Sequence, residues 1–268
     1  MNDTERDPRD EEQLAEGTLM SHLLELRDRL LRAMLAVLIA MIPCLIFANE
    51  LFTFAAQPLL QKLPQGASLI ATSVIAPFMA PFKLALYTGL FVAMPVVLYQ
   101  LWAFVAPGLY RHEKRFALPL LVSSIVLFYV GIAFAYYAVF PVMFGFFAQT
   151  TPEGVVMMTD ISQYLSFVLT MFFCFGLAFE VPVAVVLLAL TGLVDVEKMA
   201  AARGYVLIGI FVVAALLTPP DAISQTIMAL PMYLLFEGGL LMSRIMVKAK
   251  RLRDAERNAD EAREQSGA

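Results

Sequence analysis

Tyr99-Gln100-Leu101-Trp102-Ala103-Phe104-Val105 closes an apolar run, and Pro107-Gly108 breaks it. Leu109-Tyr110-Arg111-His112-Glu113-Lys114-Arg115 is a short polar loop, and Phe116-Ala117-Leu118 opens the next apolar run at once. Two long apolar runs joined by so short a cationic loop read as consecutive membrane crossings. The loop holds three cations, a histidine and one carboxylate, framed by Trp102, Phe104 and Tyr110.

The rest of the chain agrees with that reading. Of its 268 residues 60% are hydrophobic, and the mean hydropathy is +0.75. A water-soluble domain of this length cannot hide so much apolar surface. Six apolar segments are expected: Leu30–Ala48, Leu84–Ala106, Phe116–Phe140, Tyr164–Thr191, Gly204–Leu217 and Ile223–Met242. The first four are long enough for a core of ~30 Å at ~1.5 Å per residue. The fifth, fourteen residues, reaches only ~21 Å, and the clean apolar part of the sixth is Ile227 to Phe236. Two short neighbours imply local thinning of the bilayer or a wet, protein-lined cavity.

Seventeen of the nineteen Lys and Arg fall in the N-terminal segment through Arg32, in 107–116, in 192–203 or after residue 242; only Lys62 and Lys83 lie elsewhere. The positive-inside rule then predicts both termini in the cytoplasm. Residues 1–17 carry seven acids and little to bury, which predicts a disordered start. Leu19, Leu23, Leu26 and Leu30 recur at helical spacing, so an amphipathic helix leads into the first span. Residues 18–248 form the membrane domain, and 249–268 a charged tail, helical or disordered. Leu51–Leu60 is a candidate amphipathic helix in the first outer loop, whose second half Pro77 and Pro81 should make irregular. Cys44 and Cys174 lie in apolar runs, with neither a disulfide framework nor metal-ligand spacing.

Several residues could carry chemistry. Glu180 lies deep in the fourth span, where a carboxylate is costly by ~3 kcal/mol and usually faces a bundle interior or water. Pro182 cannot donate to the Ala178 carbonyl and leaves an acceptor one turn back. Asp221 is placed to cap the sixth helix, with Ser224 at its third position. Gln225 then needs a partner at the membrane edge. Glu25 and Glu113 sit among arginines and lysines on the side assigned to the cytoplasm. Two carboxylates there would read two guanidinium groups through paired hydrogen bonds. No phosphate loop, Ser/His/Asp set or HExxH stretch occurs.

Four motifs resemble one family. His22-Leu23-Leu24-Glu25-Leu26-Arg27-Asp28-Arg29-Leu30 resembles the N-terminal motif of TatC, the multispanning subunit of the twin-arginine protein translocase. Pro95 to Arg115 resembles its first cytoplasmic loop, including Gln100, Trp102, Phe104, Pro107-Gly108-Leu109-Tyr110 and Glu113. Phe175-Gly176 to Pro182 resembles its fourth-span motif, and Thr218-Pro219-Pro220-Asp221 through Gln225, Pro231 and Glu237 its last hairpin. The likeness covers roughly Leu19 to Lys248.

The resemblance implies an all-α membrane fold of six helices in a curved, cup-like bundle with short fifth and sixth helices. It implies a non-enzymatic receptor and core subunit, in the bacterial inner membrane, that exports folded proteins bearing twin-arginine signal peptides. The drive would be the proton-motive force, and the partners the single-span proteins TatA and TatB, in an oligomeric complex without cofactors or nucleic acid. By position, Glu25, Arg27, Phe104 and Glu113 would bind the signal peptide. Gln100 and Glu180 would be intramembrane polar residues, and Thr218, Asp221 and Gln225 would dock partner helices. The rival reading is a proton-coupled small-solute transporter with Glu180 as proton carrier.

Overall fold

A computed structural model of the chain describes residues 8–61, 69–105, 114–150, 158–218 and 221–266. Apart from one isolated bridge between Ile70 and Asp160, its regular structure is helical. Hydrocarbon offers no hydrogen bonds, so each crossing segment must satisfy its own backbone. Five helical stretches are long and apolar enough to span: Leu23–Ile46, Ala76–Phe104, Leu118–Thr150, Ile161–Leu190 and Ala222–Arg253. A sixth, Arg203–Leu217, is apolar but shorter.

Helix α1 (Pro8–Ile46) already covers residues 8–17, ahead of the Thr18 start read from sequence. It lies against α3 (Ala76–Val105). A Cβ on Gly89 would stand 2.8 Å from Met41 Cα, so the two backbones nearly touch. Between them, α2 (Ala48–Leu60) buries Ala55, Ala56, Pro58 and Leu59 and leaves Glu50, Thr53 and Gln57 outside, the amphipathic pattern expected. Leu51 and Phe54 share a cavity wall with Leu84 and Phe91. The end of α1 therefore meets the first half of α3, and the two run antiparallel.

Two expectations about boundaries are corrected. The stretch with Pro77 and Pro81 is not irregular: α3 begins at Ala76. Pro77 falls in the first turn, where the missing N–H would have no partner anyway. The third span does not stop near Phe140. Helix α4 (Lys114–Phe134) passes through a π-helical turn, Ala135–Val139, into α5 (Phe140–Thr150). The Phe140 N–H donates five residues back, to Ala135, and this wider turn comes just before Pro141, which has no N–H to give. Phe140, Met143 and Phe144 then bury one face.

The core lies between α4–α5 and α6 (Ile161–Ala178). Phe128, Phe140, Met143, Leu165, Val168, Met171 and Phe175 are fully enclosed. Small residues let the helices close: a Cβ on Gly131 would reach 2.5 Å from the Phe175 carbonyl oxygen, and one on Gly176 would strike the Phe128 ring. The fourth span breaks at Phe179-Glu180 and resumes as α7 (Val181–Leu190), with Pro182 in its first turn, the interruption that residue predicts.

The short α8 (Val196–Ala201) leads to α9 (Arg203–Leu217), fifteen residues or about 22 Å long. The fifth span is thus short, as read. The sixth is not: α10 (Ala222–Ser266) has 45 residues. Its clean apolar part seemed to end at Phe236 because Glu237 follows, but Arg203 pairs with that carboxylate and the helix carries on.

Candidate functional site

Glu25 projects from α1 with its side chain 36% exposed, and Arg29 from the next turn donates to Glu25 Oε1 through Nε (2.9 Å) and Nη2 (2.5 Å). Arg27 turns elsewhere and pairs with Asp28 at 2.7 Å, since side chains two apart on a helix do not share a face. Arg27 therefore does not support Glu25 directly. Phe104, half-buried, is near the end of α3. Glu25 is sixteen residues before Met41 and Phe104 fifteen after Gly89, about 24 Å and about 22 Å from that contact. In an antiparallel pair these distances put Glu25 and Phe104, far apart in sequence, at one end of the bundle. Glu113 lies outside the described residues, as do Pro107 through His112.

Inside the bundle, Glu180 sits at the break between α6 and α7. Its Oε2 accepts a hydrogen bond from Ser124 Oγ of α4, while Oε1 is buried with no hydrogen-bond partner among the described residues. Gln100 Oε1 is likewise buried without one. Both intramembrane polar residues thus keep unspent acceptor capacity inside apolar surroundings.

At the opposite end, two of the three residues expected to dock partner helices are bonded locally. Thr218 is buried, and its hydroxyl donates to Ala214 O at 2.8 Å. Asp221 Oδ1 accepts from the Ser224 N–H at 2.7 Å, which is the helix cap that spacing predicts. Gln225 differs: it borders a cavity of about 390 Å³ walled by Leu207, Ile208, Phe211 and Val212 of α9. Pro219 and Pro220 lie outside the described residues.

Sequence reasoning missed two polar clusters. Arg203 grips Glu237 with two hydrogen bonds (2.6 and 2.8 Å), and Tyr233 donates to the same carboxylate at 3.0 Å, tying the start of α9 to α10. Asp160 caps α6 through the Ser162 and Gln163 N–H groups and also accepts from the Thr72 N–H and hydroxyl at 3.1 and 2.7 Å. The Thr72 hydroxyl foremost, with the Gln163, Thr72 and Ser162 N–H groups, holds this carboxyl at about 2. An Asp followed three residues later by Gln is a legible helix start. Its tie to Thr72 leaves no mark in sequence.

Comparison with known proteins gives a consistent result. The family model for the Sec-independent protein translocase protein (TatC) matches residues 21–231. A TatC from Azotobacter chroococcum mcd 1 is 60% identical over 222 residues, which is 83% of this chain and 87% of that protein. The TatC of Escherichia coli K12 is 52% identical over 236 residues, covering 88% and 92%. A crystal structure of the twin-arginine translocase receptor TatC superimposes with a TM-score of 0.76 at 36% identity, covering 84% of this chain and 98% of that one.

Proposed function

The chain belongs to the TatC family of Sec-independent protein translocase proteins, and on that premise we propose that it is the receptor and core subunit of a translocase exporting folded proteins with twin-arginine signal peptides. It is a multi-pass membrane protein. In this reading it lies in the bacterial cytoplasmic membrane with both termini in the cytoplasm, since nearly all its cations fall on that side. TatA and TatB are its single-span partners, and the proton-motive force drives export.

The observation that carries the recognition step is the shared level of Glu25 and Phe104. It gives one end of the bundle a carboxylate and an aromatic face from different spans. Glu25 pairs with Arg29, one turn along its own helix, and such an i,i+4 pair on a helix surface is worth only ~0.3–0.5 kcal/mol. A guanidinium from a ligand can displace it at little cost. Glu113, nine residues beyond Phe104, supplies the second carboxylate. Gln225, facing the apolar wall of α9, is the best-supported contact for a partner helix.

A binding assay with a twin-arginine peptide tests this. Glu113→Lys should abolish binding, and Glu180→Ala should leave it largely intact. Normal binding by Glu113→Lys overturns the recognition assignment, and uptake of a small solute by the purified chain alone would favour a transporter.

A further inference from the structure

A groove of about 650 Å³ runs between α4, α7 and α10, lined by Leu127, Phe134, Val183, Leu234, Gly238 and Met242 among others. Among the described residues, Ser123 is the one lining side chain with a polar group. Gly238 opens it: a Cβ there would meet nothing within 4 Å, whereas one on neighbouring Gly239 would stand 2.8 Å from Pro182 Cα. One glycine of the pair lets α7 and α10 touch, and the other leaves a trough beside the contact.

The trough has a charged mouth. Leu234, Gly238, Met242 and Met246 follow one another at four-residue steps along α10, and the same stripe continues to Lys250 and Arg253. Between Glu237 and Asp254 the helix carries five cations and no acid. Lys250 Nζ donates to the Leu190 carbonyl at 3.1 Å, which sets these cations level with the end of the fourth span. Lys248 and Arg253 are exposed there.

From this geometry we infer that the groove is a binding site for an anionic phospholipid of the adjoining leaflet, with acyl chain along Gly238 and phosphate among Lys248, Lys250 and Arg253. The lining favours an acyl chain over a helix: it offers a single hydroxyl, Ser123, amid aliphatic and aromatic side chains, little by which membrane helices hydrogen-bond to one another. A basic run directly beyond a membrane helix complements an anionic headgroup, at ~1 kcal/mol per cation. The inference uses only the membrane setting of the chain, not the signal-peptide reading.

Native mass spectrometry of the full chain in detergent, with phosphatidylglycerol or phosphatidylcholine added, tests it. Phosphatidylglycerol should stay bound under activation that strips phosphatidylcholine. Lys248→Gln combined with Arg253→Gln should cut that preference roughly thirtyfold while chain-driven uptake persists. Gly238→Leu should lose both lipids, with an unchanged melting temperature in lipid-free detergent. Leu234→Trp, at a residue 60% exposed, fills the groove from another position should the first variant fail to fold. Equal retention of the two lipids, an unaltered preference in the double variant, or wild-type retention in a folded groove-filled variant overturns the site. The last is also the outcome if the groove takes a partner helix instead.

Discussion

Arg29 places both of its hydrogen bonds on a single oxygen of Glu25, Oε1. The pair is local, four residues apart, and half-buried. In the proposed receptor, Arg29 is a stand-in for the arginine of the ligand.

That relationship predicts opposite effects for its two members. Arg29→Ala removes a competitor worth ~0.3–0.5 kcal/mol and should tighten twin-arginine peptide binding about twofold. Glu25→Gln gives up a charge-assisted bond and should weaken binding by roughly tenfold or more. Fluorescence titration with a labelled peptide reads both. Unchanged affinity in Glu25→Gln would mean that Arg29 holds the carboxylate out of use.

A second pair anchors α2. Pro58 has no N–H, so the Phe54 carbonyl lacks its helical donor, and the Tyr136 hydroxyl fills the place at 3.0 Å. The two rings also stack, with centroids 4.6 Å apart. Tyr136→Phe should cost about 1 kcal/mol and lower the melting temperature, because it strands a part-buried carbonyl. In a Pro58→Ala background, where residue 58 can donate again, the same change should cost less. A double-mutant cycle measures the coupling. Strict additivity would show that the hydroxyl does no more than pack.

The six apolar helices and the break at Pro182 were legible, because length, hydropathy and proline act locally. The end of the third span was not. It was expected at Phe140, but a π-helical turn carries the chain past Pro141, and the enclosed faces of Phe140, Met143 and Phe144 continue the helix. The length of α10 was hidden by Glu237, which looks like a span boundary until Arg203 is found beside it. At the candidate site the residue types were legible. What Arg27 touches was not, because its long side chain folds onto the adjacent Asp28, a contact that helical spacing does not signal. Thr218 and Asp221 satisfy neighbours on their own helices, a local use that spacing predicted for Asp221 alone.

Asp160 gives its end of the bundle a pH dependence with a definite sign. Its folded pKa, about 2, lies below the ordinary 3.8, so the folded state favours the carboxylate. The resulting stability is fully present above the ordinary value and is lost as pH falls through about 4 towards 2. At neutral pH, Asp160→Asn should melt earlier than the wild type, and the gap should narrow over that acid range. Thr72→Val, which deletes the hydroxyl donor, should shift the wild-type acid transition to higher pH. Melting curves of all three proteins from pH 7 down to about 2 decide it. A gap independent of pH would mean that the cap does not depend on charge.

The glycines separate contact from open space. A Cβ on Gly131 would press to 2.5 Å of the Phe175 carbonyl oxygen, a backbone atom that cannot swing aside, whereas one on Gly145 would meet nothing within 4 Å. Gly131→Ala must therefore push α4 from α6 in the most enclosed part of the core, where Phe128 and Phe175 are fully buried. Overpacking of this kind costs about 1–3 kcal/mol. Gly145→Ala sits mid-helix in α5 and should be neutral or stabilising by up to ~1 kcal/mol, since alanine has the better helix propensity. Thermal unfolding in detergent compares the two directly. Similar melting temperatures for both variants would mean that the α4–α6 contact is looser than a 2.5 Å approach allows.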